Sequence, residues 1–234
     1  LKERTEKELI REIVEDTELL IGLPYPYVTP GVDKLDALYY LDTYFINLGL
    51  LKLKLVNLAK HHVENLVVLQ RRFGYIPASN LKSMPFTSSL PLLPWMVRDV
   101  YRATGDKEWL SRILADVVKE FHHWTSAPHT TPAGLYRFAD HPPNGSAPAG
   151  HDLPCELPAR RFQDSENYNP VDLNALLYRN AKLIYDLQVE ADGAGDSQLL
   201  HKAELIKKQF NLLWDQQQQF YFDHHYIEKK LSPV

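Results

Sequence analysis

The chain has 234 residues, a formal net charge of -4 and a hydrophobic content of 44%, values that are typical of ordinary globular proteins. It shows no basic block or stripe, so the composition argues against binding to nucleic acid or to a membrane surface. Cys155 is the only cysteine, which excludes a disulfide framework and a cysteine-based zinc site within the chain. No apolar run approaches the roughly 20 residues that would span a bilayer.

Helical periodicity dominates the sequence. Residues 2–20 alternate charged and apolar positions, which predicts an amphipathic helix. An apolar stripe over residues 43–72 is long enough for one extended helix or two joined ones. Pro170 suits the first position of a later helix, where Asn169 is able to act as the cap. Further helices are predicted at residues 92–103, 107–124, 170–190 and 197–214, followed by a turn into a short extended piece at 220–223.

Three long loops separate the predicted helices, near residues 21–42, 74–91 and 125–169. Short turns, such as the one at Gly105-Asp106, join the helices within each pair, so the chain reads as a stack of helical hairpins. Such hairpins form either an open solenoid or a closed α/α toroid. No short repeat motif is present, which disfavours the open scaffold. We therefore predict one all-α domain over residues 1–234, in which closure would gather the long loops around a central cavity. An enzyme pocket is expected there.

A carboxylate lies among aromatic residues where the first long loop becomes a helix. The segment is Leu38-Tyr39-Tyr40-Leu41-Asp42-Thr43-Tyr44-Phe45. Sugars are bound by aromatic faces that cover their C–H surfaces and by carboxylates that accept hydrogen bonds from their hydroxyl groups, so this cluster suits sugar binding. The alternative is a helix start with buried tyrosines and an N-terminal acid.

Further motifs follow one another along the chain. They are Pro30-Gly31 before the acid–aromatic segment, Phe73-Gly74-Tyr75-Ile76-Pro77-Ala78-Ser79-Asn80, Pro91-Leu92-Leu93-Pro94-Trp95-Met96-Val97-Arg98-Asp99-Val100-Tyr101 and Asn169-Pro170-Val171-Asp172-Leu173-Asn174-Ala175-Leu176-Leu177-Tyr178. In this order they resemble the trehalase family of inverting glycoside hydrolases. The resemblance implies an (α/α)6 toroid, of which the chain would supply about the first half of the hairpins.

The resemblance also implies the reaction, in which α,α-trehalose is split into two glucose molecules without a metal or an organic cofactor. One carboxylic acid protonates the bridging oxygen, and a second carboxylate activates water on the opposite face. The family base is expected beyond Val234, so this chain alone is expected to be inactive. Aligning the family's acid segment on residues 149–152 makes Asp152 the general acid. A second alignment, anchored on Arg161-Phe162, leaves no Asp in place, so that either the acid is missing or Glu156 takes its role.

The substrate-binding positions carried over from the family are Lys34, Tyr39, Asp42 and Asn80. Lys34 stands where the family has Arg, and Leu41 stands where it has Trp, so a two-pronged donor and a stacking face are lost. The family's Arg-Ser-Gln-Pro-Pro stretch appears as residues 87–91 without Arg or Gln. These departures favour two alternatives, hydrolysis of another small α-glycoside such as a glycosyl-glycerate or an oligosaccharide, and a non-catalytic sugar-binding or scaffold protein.

Other conspicuous residues have structural interpretations. Asp172 in a first helical turn favours the helix dipole. Arg98 and Asp99 either line the cavity or form a pair on the helix surface. The His doublets 61–62, 122–123 and 224–225 lack metal-ligand spacing, so no metal site is predicted. Trp95, Trp109, Trp124 and Trp214 are expected to pack in the core. Exposure of Leu205, Phe210, Leu213 and Trp214 is expected to promote self-association of the chain. The predicted partner is a small sugar, with no nucleic acid and no membrane.

Overall fold

The computed structural model describes residues 9–31, 36–83, 88–139 and 165–232, and this part of the chain is mainly helical. None of the helices in the described ranges is both long and apolar enough to cross a bilayer. The α-helices are α1 (Tyr40–Lys52), α2 (Val56–Phe73), α3 (Leu93–Thr104), α4 (Lys107–Trp124), α5 (Val171–Asp192) and α6 (Ser197–Gln209). Short 3-10 segments occur within the same ranges at Ser165–Asn167 and Phe210–Leu213.

The helices pack as successive antiparallel hairpins in two rows. Each helix contacts the next one along the chain, while α1 also contacts α3, α3 contacts α5, and α2 contacts α4. We call α1, α3 and α5 the inner row, because they begin where the three long loops end. Stacked hairpins with this contact pattern are the building plan of an α/α toroid, so the predicted all-α fold class is confirmed. The predicted stripe over residues 43–72 forms two helices, α1 and α2.

Short turns with left-handed glycines and acidic caps join the helices at the end of the molecule opposite to the long loops. Gly105 has φ 65° and Gly193 has φ 82°, conformations that glycine adopts without steric cost at the end of a helix. Asp106 accepts a hydrogen bond from the Trp109 N–H at 2.9 Å, and Asp196 accepts one from the Gln198 N–H at 2.9 Å. The predicted boundary at Gly105 and Asp106 is thus confirmed, as is helix 107–124.

The N-terminal segment is extended, so the prediction of a helix over residues 2–20 is wrong for residues 9–20. Strand β1 (Ile10–Arg11) pairs antiparallel with β2 (Tyr27–Val28). The N–H of Thr29 also donates to the carbonyl of Leu9 at 2.9 Å. These bonds satisfy the backbone through a distant partner, and tertiary pairing therefore overrides the local helical periodicity.

Small antiparallel strands close the C-terminal part. Strand β3 (Tyr168–Asn169) pairs with β6 (His224–His225), which pairs with β7 (Lys230–Leu231). A separate hairpin joins β4 (Trp214–Asp215) to β5 (Phe220–Tyr221), in agreement with the predicted turn and extended piece. These strands bring the segment after α6 back to the start of α5, next to the third long loop.

The hydrophobic core lies between the two rows of helices. Trp109 and Trp124 are buried in it, as predicted, whereas Trp95 and Trp214 are only partly buried. The expected exposed apolar face on the last hairpin is only partly present. Leu205 is 48% exposed, but Leu213 is fully buried and Phe210 packs against the core. The exposure predicted for Leu213 and Phe210 is therefore wrong, because the strands after α6 fold back over this end.

His62 is a buried polar contact between the N-terminal strands and the first hairpin. Its Nε2 accepts a hydrogen bond from the Val28 N–H at 2.8 Å, and its Nδ1 lies 2.6 Å from Oδ1 of Asn47. Asn47 Nδ2 in turn donates to the carbonyl of Ala59 at 3.2 Å, so Oδ1 of Asn47 accepts the proton of His62 Nδ1. Burial, with a smaller effect from His61, lowers the pKa of His62 from 6.5 to about 3.

A neutral His62 predicts acid-sensitive stability. Between its folded pKa of about 3 and the ordinary value of 6.5, the unfolded chain binds a proton that the folded chain does not. The contribution of neutral His62 to the free energy of unfolding is therefore complete above pH 6.5 and is lost as the pH falls below that value. His62→Gln keeps an acceptor and a donor but does not titrate. Between about pH 7.5 and about pH 5.5, urea denaturation should show that the parent loses about 1.4 kcal/mol more stability than His62→Gln.

The matched control is His201→Gln, which replaces an exposed histidine on α6. Its stability should follow the parent at both pH values. Equal losses for the parent and His62→Gln would contradict the assigned role of His62.

Candidate functional site

Asn80 joins the first and second long loops. Its side-chain Nδ2 donates to the carbonyl of Ile21 at 2.8 Å, and its Oδ1 accepts from the Leu38 N–H at 2.8 Å. The backbone N–H of Asn80 donates to the carbonyl of Leu38 at 3.1 Å. The amide is fully buried and is used within the protein. In this structure Asn80 therefore positions the segment before α1, and its direct contact with a sugar stays a prediction.

Tyr39 and Asp42 lie at the start of α1, where the Asn80 contacts hold the chain. Tyr39 has extended backbone angles and bridges to Ser79 of the second loop. The Thr43 hydroxyl donates to the Tyr39 carbonyl at 2.6 Å. Asp42 is exposed in the first turn and makes no hydrogen bond or ion pair within the described ranges. A helix start with an unpaired carboxylate and neighbouring aromatic rings is chemically suited to bind hydroxyl groups.

The structure thus brings Tyr39, Asp42 and Asn80 to one end of α1. Lys34, Asp152 and Glu156 lie outside the described residues, so their roles in binding and catalysis stay predictions. Leu41, which the sequence resemblance places at a Trp position, is partly buried and packs against the core.

A buried cluster around Tyr40 locks the same helix start to its neighbours. The Tyr40 hydroxyl donates to Oε1 of Glu120 on α4 at 2.5 Å. It accepts the backbone N–H groups of Leu92 and Leu93 at 2.9 and 2.5 Å. These N–H groups begin α3, and such groups have no partner within their own helix. One hydroxyl therefore fixes the relative positions of α1, α3 and α4 beneath the candidate site.

Glu120 is a buried acid that the sequence reasoning missed. It is 1% exposed, and its Oε2 has no hydrogen-bond partner among the residues that the structure describes. Burial outweighs the hydrogen bonds from Tyr40 and the backbone and raises the pKa of Glu120 from 4.5 to about 8. The helical spacing of the sequence already indicates that Glu120 is buried, because residues 113, 117, 120 and 124 share one helical face. An acid on that apolar face indicates a buried partner.

The third long loop is tied to the start of α5 through asparagine side chains. Asn174 Nδ2 donates to the Tyr136 carbonyl at 2.8 Å, and Asn174 Oδ1 accepts the Tyr136 N–H at 2.8 Å. Asn169 Nδ2 donates to the Thr131 hydroxyl at 3.0 Å. The predicted cap by Asn169 is therefore wrong. Pro170 precedes the helix, and Oδ1 of Asp223 accepts the Val171 N–H at 2.8 Å.

The remaining polar residues of interest have local partners. Arg98 and Asp99 form an ion pair with 2.7 Å between Nη2 and Oδ1, and both side chains are partly buried. His129 Nδ1 lies 3.0 Å from the Arg137 carbonyl, and His129 Nε2 lies 3.2 Å from Nε2 of His123. Burial, with a smaller effect from His129, lowers the pKa of His123 to about 4. The described residues contain no group of three or more His, Cys, Asp or Glu that would hold a metal ion.

The raised pKa of Glu120 predicts a stability term that decreases as the pH rises. Between its ordinary value of 4.5 and about 8, the folded chain keeps a proton that the unfolded chain releases. Glu120→Gln keeps an acceptor for Tyr40 and cannot ionise. Between about pH 5.5 and about pH 7.5, the parent should lose up to about 2.7 kcal/mol relative to Glu120→Gln in urea denaturation.

Two further variants complete this experiment. Glu204→Gln, which changes an exposed acid on α6, should keep the pH dependence of the parent. Tyr40→Phe should be destabilised at every pH by about 2–4 kcal/mol, because two buried N–H groups lose their acceptor. A parent and a Glu120→Gln variant with the same pH dependence would show that Glu120 is ionised in the fold.

Comparison with known proteins identifies the group to which this architecture belongs. A sequence profile described as Trehalase matches residues 3–147 and 158–233. The chain is 36% identical over 114 residues to a probable trehalase of Oryza sativa subsp. japonica and 32% identical over 114 residues to a trehalase of Arabidopsis thaliana. These alignments cover 49% of this chain but only 20% of the rice protein and 18% of the Arabidopsis protein.

Solved structures support the same fold. The neutral trehalase from Saccharomyces cerevisiae superposes with a TM-score of 0.76 at 20% identity, over 89% of this chain and 50% of the yeast chain. The mannosylglycerate hydrolase from Thermus thermophilus gives a TM-score of 0.64 at 15% identity, over 89% of this chain and 66% of the other. The chain thus spans half of the yeast structure. Because the family profile matches most of its length, this chain belongs to the trehalase family.

Proposed function

We propose that this chain forms part of the sugar-binding wall of a glycoside hydrolase that splits α,α-trehalose with inversion. The observation that carries the proposal is the exposed carboxylate of Asp42 in the first turn of an inner helix, next to Tyr39. The first turn of a helix favours a negative charge, and a carboxylate there is able to accept hydrogen bonds from sugar hydroxyl groups. Membership of the trehalase family supports this assignment.

The chemistry proposed for the intact protein needs two carboxyl groups on opposite sides of the bond that breaks. In inverting enzymes these groups stand roughly 6.5–9.5 Å apart, which leaves room for the attacking water. Asp152 is proposed as the general acid that protonates the bridging oxygen, with Glu156 as the alternative. The general base is proposed to lie outside residues 1–234. On this basis the chain alone has no hydrolytic activity.

A second candidate substrate is another small α-glycoside, such as a glycosyl-glycerate or an oligosaccharide. It is favoured by Leu41, which packs against the core and offers no flat ring for stacking on a sugar. Lys34 also replaces a two-pronged arginine with a single charge. A different sugar substrate is therefore favoured over an unfolded site, because the hydroxyl of Tyr40 and the side-chain amide of Asn80 both have buried hydrogen-bond partners.

A non-catalytic sugar-binding or scaffold protein is the third candidate. It requires that the intact protein lack both carboxylates of the catalytic pair.

Self-association of the chain is also part of the proposal, since Leu205 and Phe220 are exposed near the last hairpin. Sedimentation of the chain tests it directly.

If Asp42 binds the sugar, its replacement should reduce hydrolytic activity. A role in helix stabilisation alone would not have this effect. In the intact protein, Asp42→Asn should lower kcat/KM for trehalose about tenfold or more, because a charge-assisted hydrogen bond to the sugar is lost. The matched control is Glu108→Gln, an exposed acid in the first turn of α4. Both variants lose a favourable dipole interaction, so only the sugar contact separates them. Equal activity of the two variants would assign Asp42 to helix stabilisation.

The general acid is tested with a panel of trehalose and other small α-glucosides. Asp152→Asn should abolish hydrolysis if Asp152 protonates the leaving group, while Glu156→Gln remains active. The reverse result would assign the acid to Glu156. A folded intact protein that hydrolyses no member of the panel would favour the non-catalytic candidate.

A further inference from the structure

A small cationic pocket lies between the inner helices α3 and α5. Its volume is about 150 Å³, which suits a compact group rather than a disaccharide. It is formed by side chains that project from successive turns of the two helices. The lining residues are Trp95, Arg98, Arg102, Arg179, Lys182, Leu183 and Asp186.

The charges of this pocket are not balanced within the described ranges of the chain. Arg98 is neutralised by its ion pair with Asp99. Arg102, Arg179 and Lys182 make no ion pair in those ranges, and neither does Asp186, the one acid in the lining. Three unpaired cations and one carboxylate leave a formal excess of two positive charges. Like charges held together repel each other, so an anion between them would be stabilising.

The walls of the pocket are held in place before any ligand arrives. The indole Nε1 of Trp95 donates to Oδ1 of Asn180 at 2.8 Å, and Nδ2 of Asn180 donates to the Pro91 carbonyl at 2.8 Å. The Arg98 guanidinium lies 4.6 Å from the centroid of the Trp95 ring. Asn180 is 1% exposed. A rigid wall reduces the entropy lost on binding.

Lys182 is also positioned by an aromatic neighbour. Its Nζ lies 5.5 Å from the centroid of the Tyr178 ring, a distance at which the ring attracts the ammonium group. Arg102 and Arg179 are exposed, so their guanidinium groups are free to turn toward a ligand. Guanidinium groups bind tetrahedral oxyanions through paired hydrogen bonds.

We propose that this pocket binds a phosphate-type oxyanion, either free or as the phosphate group of a small sugar ester. A phosphate monoester carries about -1.5 to -2 charge near neutral pH, which matches the formal excess of two positive charges. The pocket lies on the inner row and shares none of its lining residues with the Asp42 cluster. The proposal therefore stands without the hydrolytic function proposed above.

Inorganic phosphate is the first probe. The 234-residue chain is titrated by calorimetry near pH 7.5, with sodium chloride holding the ionic strength constant so that screening does not change. We expect saturable binding of one phosphate per chain. Arg102→Gln and Arg179→Gln should each weaken binding about tenfold, since each removes a charge-assisted contact.

Arg112→Gln is the matched control. Arg112 is exposed on α4 of the outer row, away from the pocket, and its weak contact with Glu64 is 3.4 Å long. This variant should bind phosphate like the parent. Circular dichroism and melting without phosphate establish that all three variants are folded. Absence of saturable binding to the parent would overturn the proposal, as would equal weakening by Arg112→Gln and Arg102→Gln.

Glucose and glucose 6-phosphate then identify the source of the anion. Tighter binding of glucose 6-phosphate than of inorganic phosphate, lost in Arg179→Gln, would assign the pocket to a sugar ester. Equal binding of the two would assign it to the free anion. Glucose that competes with inorganic phosphate as well as glucose 6-phosphate does would contradict an oxyanion site.

Discussion

The buried hydroxyl of Tyr40 is the contact on which the rest of the described structure depends. Helix α3 begins inside the protein, where its first N–H groups are cut off from water and have no partner in their own helix. Tyr40 accepts the N–H groups of Leu92 and Leu93 and donates its own proton to Glu120. Because one atom satisfies three polar groups from two other helices, α1 has little freedom to shift. The position of Asp42, two residues further on, follows from this constraint.

The same physical solution recurs at the other inner helices, where buried amides and acids satisfy backbone groups. The side chain of Asn80 accepts and donates backbone hydrogen bonds that join the first two loops. The side chain of Asn174 makes the same kind of hydrogen bonds between the third loop and α5. Asp223 accepts the first N–H of α5. Buried polar groups that are fully paired specify one arrangement, because any shift leaves a costly unpaired group. The three loops at the candidate site are thus held by buried hydrogen bonds rather than by apolar packing alone.

The sequence predicts those parts of the fold whose signals are local. Helix Lys107–Trp124 carries its apolar face, its acidic cap and the preceding glycine within one short stretch, so its bounds were predictable. The segment before Tyr27–Val28 has similar periodicity, but a strand partner decides its structure. Glu120 was missed because its partner Tyr40 lies 80 residues away. Asn80 was predicted from a motif, yet an amide binds a backbone as readily as a sugar, and only the fold separates these uses.

The start of α1 combines a side chain that is proposed to bind a sugar with buried contacts that hold the helix in place. Leu41, in the same segment, packs against the core that the Tyr40 contacts stabilise. A buried polar group that loses its partner costs about 1–3 kcal/mol. The buried pairs of Asn80, Asn174 and Tyr40 remain complete. Because these contacts are made within the protein, they hold the start of α1 in place whichever sugar the proposed site binds.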